Sequence, residues 1–424
     1  MLSTSVTANN KTGRNHVDSH KLLIETIPDL PDRLQKYVNE GIRQKDIPEH
    51  IKRDCDGQII SLSSVKKMMK RFEIKTVKRS GLSDLEKGVA ILKLVEHDPL
   101  GRYGCRLVQE KLRLQSTHVS RNFTMTFLKA ENPDAVVRRH PATRKQHKHG
   151  IYSSGPNEEW CFDGHEKILI SMRIAVYGII DKFSRMELAL YAVPDARNSD
   201  VPVAVYLRTV KEQGGIPLST TSDKGSELGK LISLVQQLRK SYQPYISEED
   251  VPSHSAVKSP QNITRERGWH PIWEKELANV LHFYRTGQFD AGYFPNDDFH
   301  MSLSWWLWAS IVQQKLNELR IENQVHTIRH QPKILLPSDA RRIDLYRDPG
   351  RYNGEDKLIP VPAEDIDRLL ADMDDPLLFQ FGNDEAVGLF RDLHHAIGSP
   401  KFVAIDSWAI FRDMIDLHMR RLSA

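Results

Sequence analysis

Between residues 158 and 242 the hydrophobic period changes several times in succession, and this alternation constrains the fold more than any other feature of the chain. EEWCFDG reads as a short aromatic strand ending on a carboxylate, ILISMRIAVYGIID as a longer apolar strand or pair of strands, and MELALYAV as another. SDVPVAVYLRTVKEQG then reads as an amphipathic helix and IPLSTTSD as a short strand. SELGKLISLVQQLRKSY follows as a helix with Leu228, Leu231, Ile232, Val235 and Leu238 on one face. Consecutive strands followed by strand–helix alternation predict an α/β domain, a mixed sheet covered by helices. Downstream, HMSLSWWLWASIVQQKLNELRIE is helical, and its Trp305, Trp306 and Trp308 read as core or inter-helix packing. The C-terminal portion closes with a helix carrying Trp408, Ile410, Phe411, Met414, Ile415 and Leu417.

The front half has a different texture. Residues 1–30 are polar and aperiodic and read as a mobile tail. Leu34, Tyr37, Val38 and Ile42 begin a run of three short helices. The last is SLSSVKKMMKRFEI, where Ser61 or Ser63 caps a helix with Val65, Met68, Met69 and Phe72 on one side. Lys66, Lys67, Lys70 and Arg71 lie on the other. Three short helices ending in a basic one suit a helix-turn-helix unit whose last helix enters a DNA groove. A second trio follows. Leu85, Val89, Leu92 and Val95 mark one helix, ended by Asp98-Pro99, and GCRLVQEKLRL a second. STHVSRNFTMTFLKAE is a third, with Ser116 or Thr117 as its cap and Val119, Phe123 and Phe127 following. These patterns divide the chain into a tail (1–30), two helical modules (31–79 and 80–137) and a basic linker (138–157). A core with a helical extension (158–345) and an acidic, mostly helical region (346–424) complete it.

Charge follows the same division. The whole chain carries +4, yet residues 52–149 hold 22 Lys and Arg against 10 Asp and Glu, and residues 361–400 hold 2 against 9. A phosphate backbone responds to such a local surplus, but taken alone the basic front half reads more readily as a solvated face than as a nucleic-acid surface, and what it is joined to decides between them. No run of about 18 apolar residues offers a membrane span, and the first twenty residues lack the apolar core of a signal peptide, so a soluble intracellular protein is expected. Cys55, Cys105 and Cys161 form no CxxC pair. His140, His147 and His149 in the linker read as solvated basic residues, not zinc ligands.

Three carboxylates in the strand–helix region draw attention together. Asp163 follows an aromatic strand, Asp223 follows the strand STTS at a Gly turn, and Glu266 sits in a polar segment leading into a helix. Carboxylates at strand ends are natural oxygen ligands for hard cations. Two such cations about 3.5–4 Å apart can activate an attacking oxygen and stabilise a leaving one in phosphoryl transfer.

WCFDGHEKI, GIIDKFSRMELAL, TTSDKGSELG and SPQNITRERGW resemble the successive motifs of the DDE-type integrase catalytic core, in the fungal transposon-related group. Trp160, Asp163, Gly164 and Lys167 match the first motif, with His165 displaced by one position. Asp181, Ser184 and Arg185 match an Asp-x-x-Ser-Arg element, and Ser222, Asp223, Gly225 and Glu227 match the second motif. Ser259, Asn262, Glu266, Arg267 and Trp269 match the third. In place of the His that usually precedes the Asn of that motif stand Pro260 and Gln261, and Pro271 suits the start of the next helix.

The resemblance implies a ribonuclease H-like five-stranded mixed sheet with flanking helices. It implies Mg²⁺- or Mn²⁺-dependent DNA cleavage and strand transfer, with Asp163, Asp223 and Glu266 as the catalytic and metal-binding residues. Lys224 and Arg267 would steer phosphate, Glu227, Glu274 and Glu276 are substitute acids, and self-association and a nuclear address are expected. A domesticated DNA-binding scaffold that keeps the fold without the chemistry is the alternative. A nuclease acting on RNA–DNA hybrids would share the metals but would need no helix-turn-helix front.

Overall fold

The computed structural model describes residues 26–139, 152–257, 262–331 and 334–423. Most of the expected tail and linker, including His140, His147 and His149, and Ser259, Pro260 and Gln261 of the third motif, lie outside them. The chain divides into two compact units, one of residues 1–95 and 103–140, the other of 96–102 and 141–424.

The first unit is helical. Helices α1 (Leu30–Asn39), α2 (Ile47–Asp54) and α3 (Leu62–Arg71) close over Leu30, Leu34, Ile47, Ile51, Val65 and Met69. Ser61 caps α3 by accepting from the Ser64 N–H at 3.1 Å. Ile27 and Leu30, placed by sequence in the tail, are buried in this core. Helices α4 (Asp84–Val95), α5 (Cys105–Leu114), α6 (Arg121–Glu131) and α7 (Pro133–Arg138) form a second cluster around Ile91, Val108, Leu112 and Leu128. Asn39 ties the two together, donating to the Ser116 hydroxyl at 2.9 Å and meeting His118 Nε2 at 3.0 Å.

Two expectations here are corrected. On α4 the buried face is Gly88, Ile91 and Leu94, while Leu85, Val89 and Leu92 are exposed. The helix is apolar around most of its circumference, so its period alone does not choose the buried stripe. The third helix starts at Arg121 with Ser120 as its cap, because Ser116 takes a left-handed conformation (φ +58°) just after α5.

In the second unit, β1 (Glu159–Leu169), β2 (Ile174–Asp181) and β3 (Glu187–Val193) form an antiparallel meander. Strands β5 (Ser219–Ser222) and β6 (His254–Ala256) add in parallel on the far side of β1, giving the order β3-β2-β1-β5-β6. A two-stranded sheet pairs β4 (Gly215–Ile216) with β7 (Ile359–Pro360). Side-chain alternation along the strands builds two cores. Trp160, Phe162, Tyr177 and Ile179 face α8 (Asp200–Gln213), α9 (Gly229–Tyr242) and α14 (Ala363–Met373). Ile168, Val176, Leu190 and Ala192 face α10 (Ile263–Ile272), α11 (Ala278–Gly287), α12 (Asp298–Val325), α15 (Asp384–Ala396) and α16 (Ser407–Leu422). A short helix, α13 (Arg342–Arg347), precedes β7. The ribonuclease H-like arrangement expected from the resemblance is present.

Helix α8 is buried nearly all round, not amphipathic, because α14 covers the side turned away from the sheet. Part of the acidic C-terminal charge is used there: Asp374 pairs with Arg208 at 2.8 Å and Asp367 with Lys211 at 2.7 Å. Edge strand β3 is covered by α12, whose Gln313 and Asn323 accept from the Ala192 and Glu187 N–H groups at 2.8 and 3.0 Å. That satisfies backbone donors which would otherwise invite another strand.

Candidate active site

Strand β1 does not stop at Asp163, as the sequence suggested. It runs on to Leu169, with Asp163 opposite Gly178 of β2. His165 is still paired, opposite Val176 of β2, and the register shifts between it and Leu169. On its other side β1 leaves β5 early. The parallel pairing ends at Cys161 opposite Thr221, and two more residues along each strand bring Asp163 level with Asp223, just past the end of β5. Since Cβ direction alternates, Trp160 and Phe162 enter the core against Tyr206, and Asp163 projects from the opposite face, toward α10.

Helix α10 is fixed to that face by three contacts. Asn262, at its N-terminus, donates to the Phe162 carbonyl at 2.8 Å. Trp269 donates its indole N–H to Asp163 Oδ2 at 2.6 Å. Arg265, with no exposed surface, is clamped by Glu187, one of its two bonds measuring 3.0 Å, and stacks 4.1 Å from the Trp269 ring centroid. Gly178 suits this approach, because a Cβ there would lie 3.1 Å from the Trp269 ring and 3.0 Å from Leu190, closer than side chains ordinarily pack. Glu266 stands one residue beyond Arg265 and faces outward. Pro271 does not start a helix but lies inside α10. Its missing N–H and its ring disturb the preceding turn, and the helix passes through a π-helical turn at Trp273–Leu277 before continuing as α11.

Asp163, Asp223 and Glu266 line one open cleft of about 540 Å³, together with Glu166, Glu227, His165 and Arg197. Burial pushes the Asp163 carboxyl up to about 7; the Trp269 bond and the Arg265 charge oppose this, and the Asp223 and Glu266 charges add to it. Burial also raises Asp223, followed by repulsion from Glu266. The Asp223 and Glu266 charges therefore act on Asp163 across the cleft, and the Glu266 charge acts on Asp223. The three carboxylates are not drawn into a closed shell: among the described residues no three His, Cys, Asp or Glu side chains are gathered into a ready metal site. One Asp163 oxygen is engaged by Trp269 instead. An oxygen-only set of mutually repelling carboxylates in an open cleft is the donor chemistry that hard divalent cations take.

The remaining expected residues fall elsewhere. Lys224 and Arg267 are exposed and do not line the cleft; the cation that does is Arg197, held by Glu166 through two bonds at 2.8 and 3.0 Å. Of the substitute acids, Glu227 is in the cleft. Glu276 is buried with Lys315 3.7 Å away, and Glu274 lies beside Arg102 and His270. Asp181 is fully buried and accepts from the Ser184 N–H and hydroxyl and from the Asn157 N–H at 2.6–2.8 Å, closing the β2–β3 turn. Arg185 in that turn reaches the Pro337 carbonyl. Lys66, Lys67, Lys70 and Arg71 form an exposed basic face on α3, opposite the buried Val65, Met68 and Met69. Sequence reasoning missed Arg265, Glu187, Glu166 and Arg197. The first two read as surface charges flanking apolar runs, and no local pattern distinguishes a buried ion pair from an exposed one.

Residues 151–336 match the family model described as Integrase core domain. Among curated proteins none matches the chain. Among solved structures, the chain is similar to the simian T-cell lymphotropic virus intasome in complex with PP2A regulatory subunit B56 gamma. That match has 16% identity and a TM-score of 0.28, over 64% of this chain and 77% of that one. It is also similar to the HTLV-2 integrase catalytic core domain in complex with magnesium, in a trimeric form. Here identity is 16% and the TM-score 0.24, over 47% of this chain and all of that one. Neither superposition is close enough to carry residue roles across. Among the described residues no helix is long and apolar enough to cross a membrane.

Proposed function

From a chain that carries an integrase core domain over residues 151–336, we propose a DNA-binding polynucleotidyl transferase that cleaves and joins phosphodiesters at the Asp163–Asp223–Glu266 cleft. One observation carries this reading. Three acids 60 and 43 residues apart in sequence line a single cleft, where the Asp223 and Glu266 charges add to the upward shift of Asp163 and the Glu266 charge to that of Asp223.

Asp163 and Asp223, from adjacent parallel strands, would hold the first divalent cation, and Glu266 would complete the second site, with Glu227 in reach of the same cleft. Bound Mg²⁺ or Mn²⁺ would supply Lewis acidity toward the phosphate and lower the pKa of an attacking water or 3′-hydroxyl. The chain's own residues prepare that chemistry. Trp269 orients Asp163, the buried Arg265–Glu187 pair fixes the pitch of α10 and so the position of Glu266, and Asn262 pins the helix start to β1. Glu166 holds Arg197 at the cleft wall, where its guanidinium can meet a phosphate oxygen. The basic face of α3, with Lys66, Lys67, Lys70 and Arg71, would bind the DNA backbone in the manner of a helix-turn-helix. DNA as substrate favours a nuclear address, and joining two DNA ends favours a multimer.

The test is a labelled DNA duplex with Mg²⁺ or Mn²⁺. Nicking or strand joining that disappears in Asp223→Asn supports the enzyme. A second reading, a DNA-binding scaffold that keeps the fold, is favoured by the absence of a closed metal cluster among the described residues. Duplex binding without cleavage, indifferent to both metal and Asp223→Asn, would establish it.

A further inference from the structure

A second pocket, of about 580 Å³, opens at the other end of β1. It is framed by Arg173, Tyr284, Arg285, Tyr293, Trp305 and Trp308. The pieces come from the β1–β2 turn, from α11 and from α12 with the loop before it. Arg173 takes a left-handed conformation (φ +54°), and its carbonyl accepts from the Trp305 indole at 2.8 Å. Burial pushes the Tyr284 hydroxyl up to about 12, with the neighbouring Tyr293 adding to the shift, and raises the Tyr293 hydroxyl; the Arg173 charge opposes both shifts.

Three features of this pocket are not explained by packing. No carboxylate lines it, and neither Arg173 nor Arg285 has an ion-pair partner among the described residues. Trp308 is 1% exposed, and its indole N–H has no acceptor among the described residues. The adjoining loop leaves two aromatic rings in solvent, Phe289 at 93% and Phe294 at 64% exposure. Its acids, Asp290, Asp297 and Asp298, do not line the pocket, and Asp297 is occupied in accepting from the His300 N–H that begins α12.

We propose that this pocket binds an unstacked nucleotide, with its base against the aromatic rings and its phosphate on Arg173 and Arg285. Guanidinium groups without a carboxylate partner select phosphate, and aromatic faces select a base whatever its identity. A purely apolar peptide would leave both arginines uncompensated. Assignment of the nucleotide to a DNA strand rests on the function proposed above. Strand β1 and the α10–α11 rod both run from the acid cleft to this pocket. Six residues of strand make about 20 Å, and eighteen of helix from Glu266 to Tyr284 make roughly 27 Å. At 3.4 Å per nucleotide that span is about six to eight nucleotides.

The experiment uses the full chain carrying Asp223→Asn in EDTA, so that it is independent of cleavage, with a ten-nucleotide strand containing 5-iododeoxyuridine. Photocrosslinks are mapped to peptides, and affinity is read by anisotropy. Crosslinks within residues 284–308 are expected, and Arg285→Glu, an exposed position, should weaken the strand about tenfold, as should Trp305→Ala. Competition by dAMP as effective as that by unlabelled strand identifies a free nucleotide as the ligand; competition by the strand alone identifies DNA. Crosslinks confined to other segments, or affinity unchanged in Arg285→Glu, overturn the proposal, and so does preference for an acidic aromatic peptide. Loss of cleavage in the duplex assay does not bear on this outcome.

Discussion

Two aspartates on neighbouring strands of the same sheet share one property and differ in every other. Asp163 and Asp181 are both pushed above the usual carboxylate range by burial, to about 7 and about 6. Asp181 is surrounded by three donors, from Ser184 and Asn157, and closes a turn. Asp163 accepts from Trp269 and opens onto a cleft shared with Asp223 and Glu266. Desolvation therefore does not tell the two apart. What differs is the neighbours, which are hydrogen-bond donors around Asp181 and further carboxylates around Asp163.

The comparison can be broken at several points. The largest effect belongs to the buried pair behind the cleft: Arg265→Leu leaves Glu187 buried without its partner and should cost about 3–5 kcal/mol of stability, read by denaturant unfolding. A double change to apolar residues, Arg265→Met with Glu187→Leu, should recover much of that stability. Next is Asp223→Asn, expected to lower Mn²⁺-dependent nicking by roughly a thousandfold, about 4 kcal/mol in the barrier, with the melting temperature held or raised. Asp181→Ala should do the opposite. It would strand three donors and lower stability by about 2–3 kcal/mol, while any protein that remains folded still nicks DNA.

A smaller effect follows from protonation. Asp163 keeps its proton in the folded chain up to about pH 7 and loses it near pH 4 when unfolded, so the folded state binds more protons between those values. The site's contribution to stability falls as pH rises through that window. Asp163→Asn should remove the loss and gain on the order of 1–2 kcal/mol at pH 8 relative to wild type. Mg²⁺ should raise the wild-type melting temperature at pH 8 and leave Asp163→Asn unmoved. The smallest expected effect is in the first unit, where Lys70→Ala should reduce the salt dependence of duplex binding by about one unit of slope.

Periodicity made the strand–helix alternation legible, along with the basic face of α3 opposite Met68 and Met69 and the Trp306–Trp308 core of α12. The motif residues that line one cleft, Asp163, Asp223 and Glu266, were also legible through the motifs that carry them, although the strand end read at Asp163 is absent because β1 runs on to Leu169. Properties fixed by partners distant in sequence were not. Burial of α8 depends on α14 some 160 residues later, and the extension of β1 through His165 depends on β2. Helix α10 accommodates Pro271 through a π turn that no local preference announces. The Arg265–Glu187 pair was hidden for the same reason, since charge in a sequence says nothing of the face that buries it.

The central claim is that Asp163, Asp223 and Glu266 jointly hold divalent cations. The most direct measurement is an anomalous difference map from crystals of the protein soaked in Mn²⁺. The account predicts a peak shared by the Asp163 and Asp223 carboxylates, with Glu266 ligating the same or an adjacent ion. A cleft free of manganese at saturating concentration, or a site that excludes Asp163 and Asp223, would contradict it.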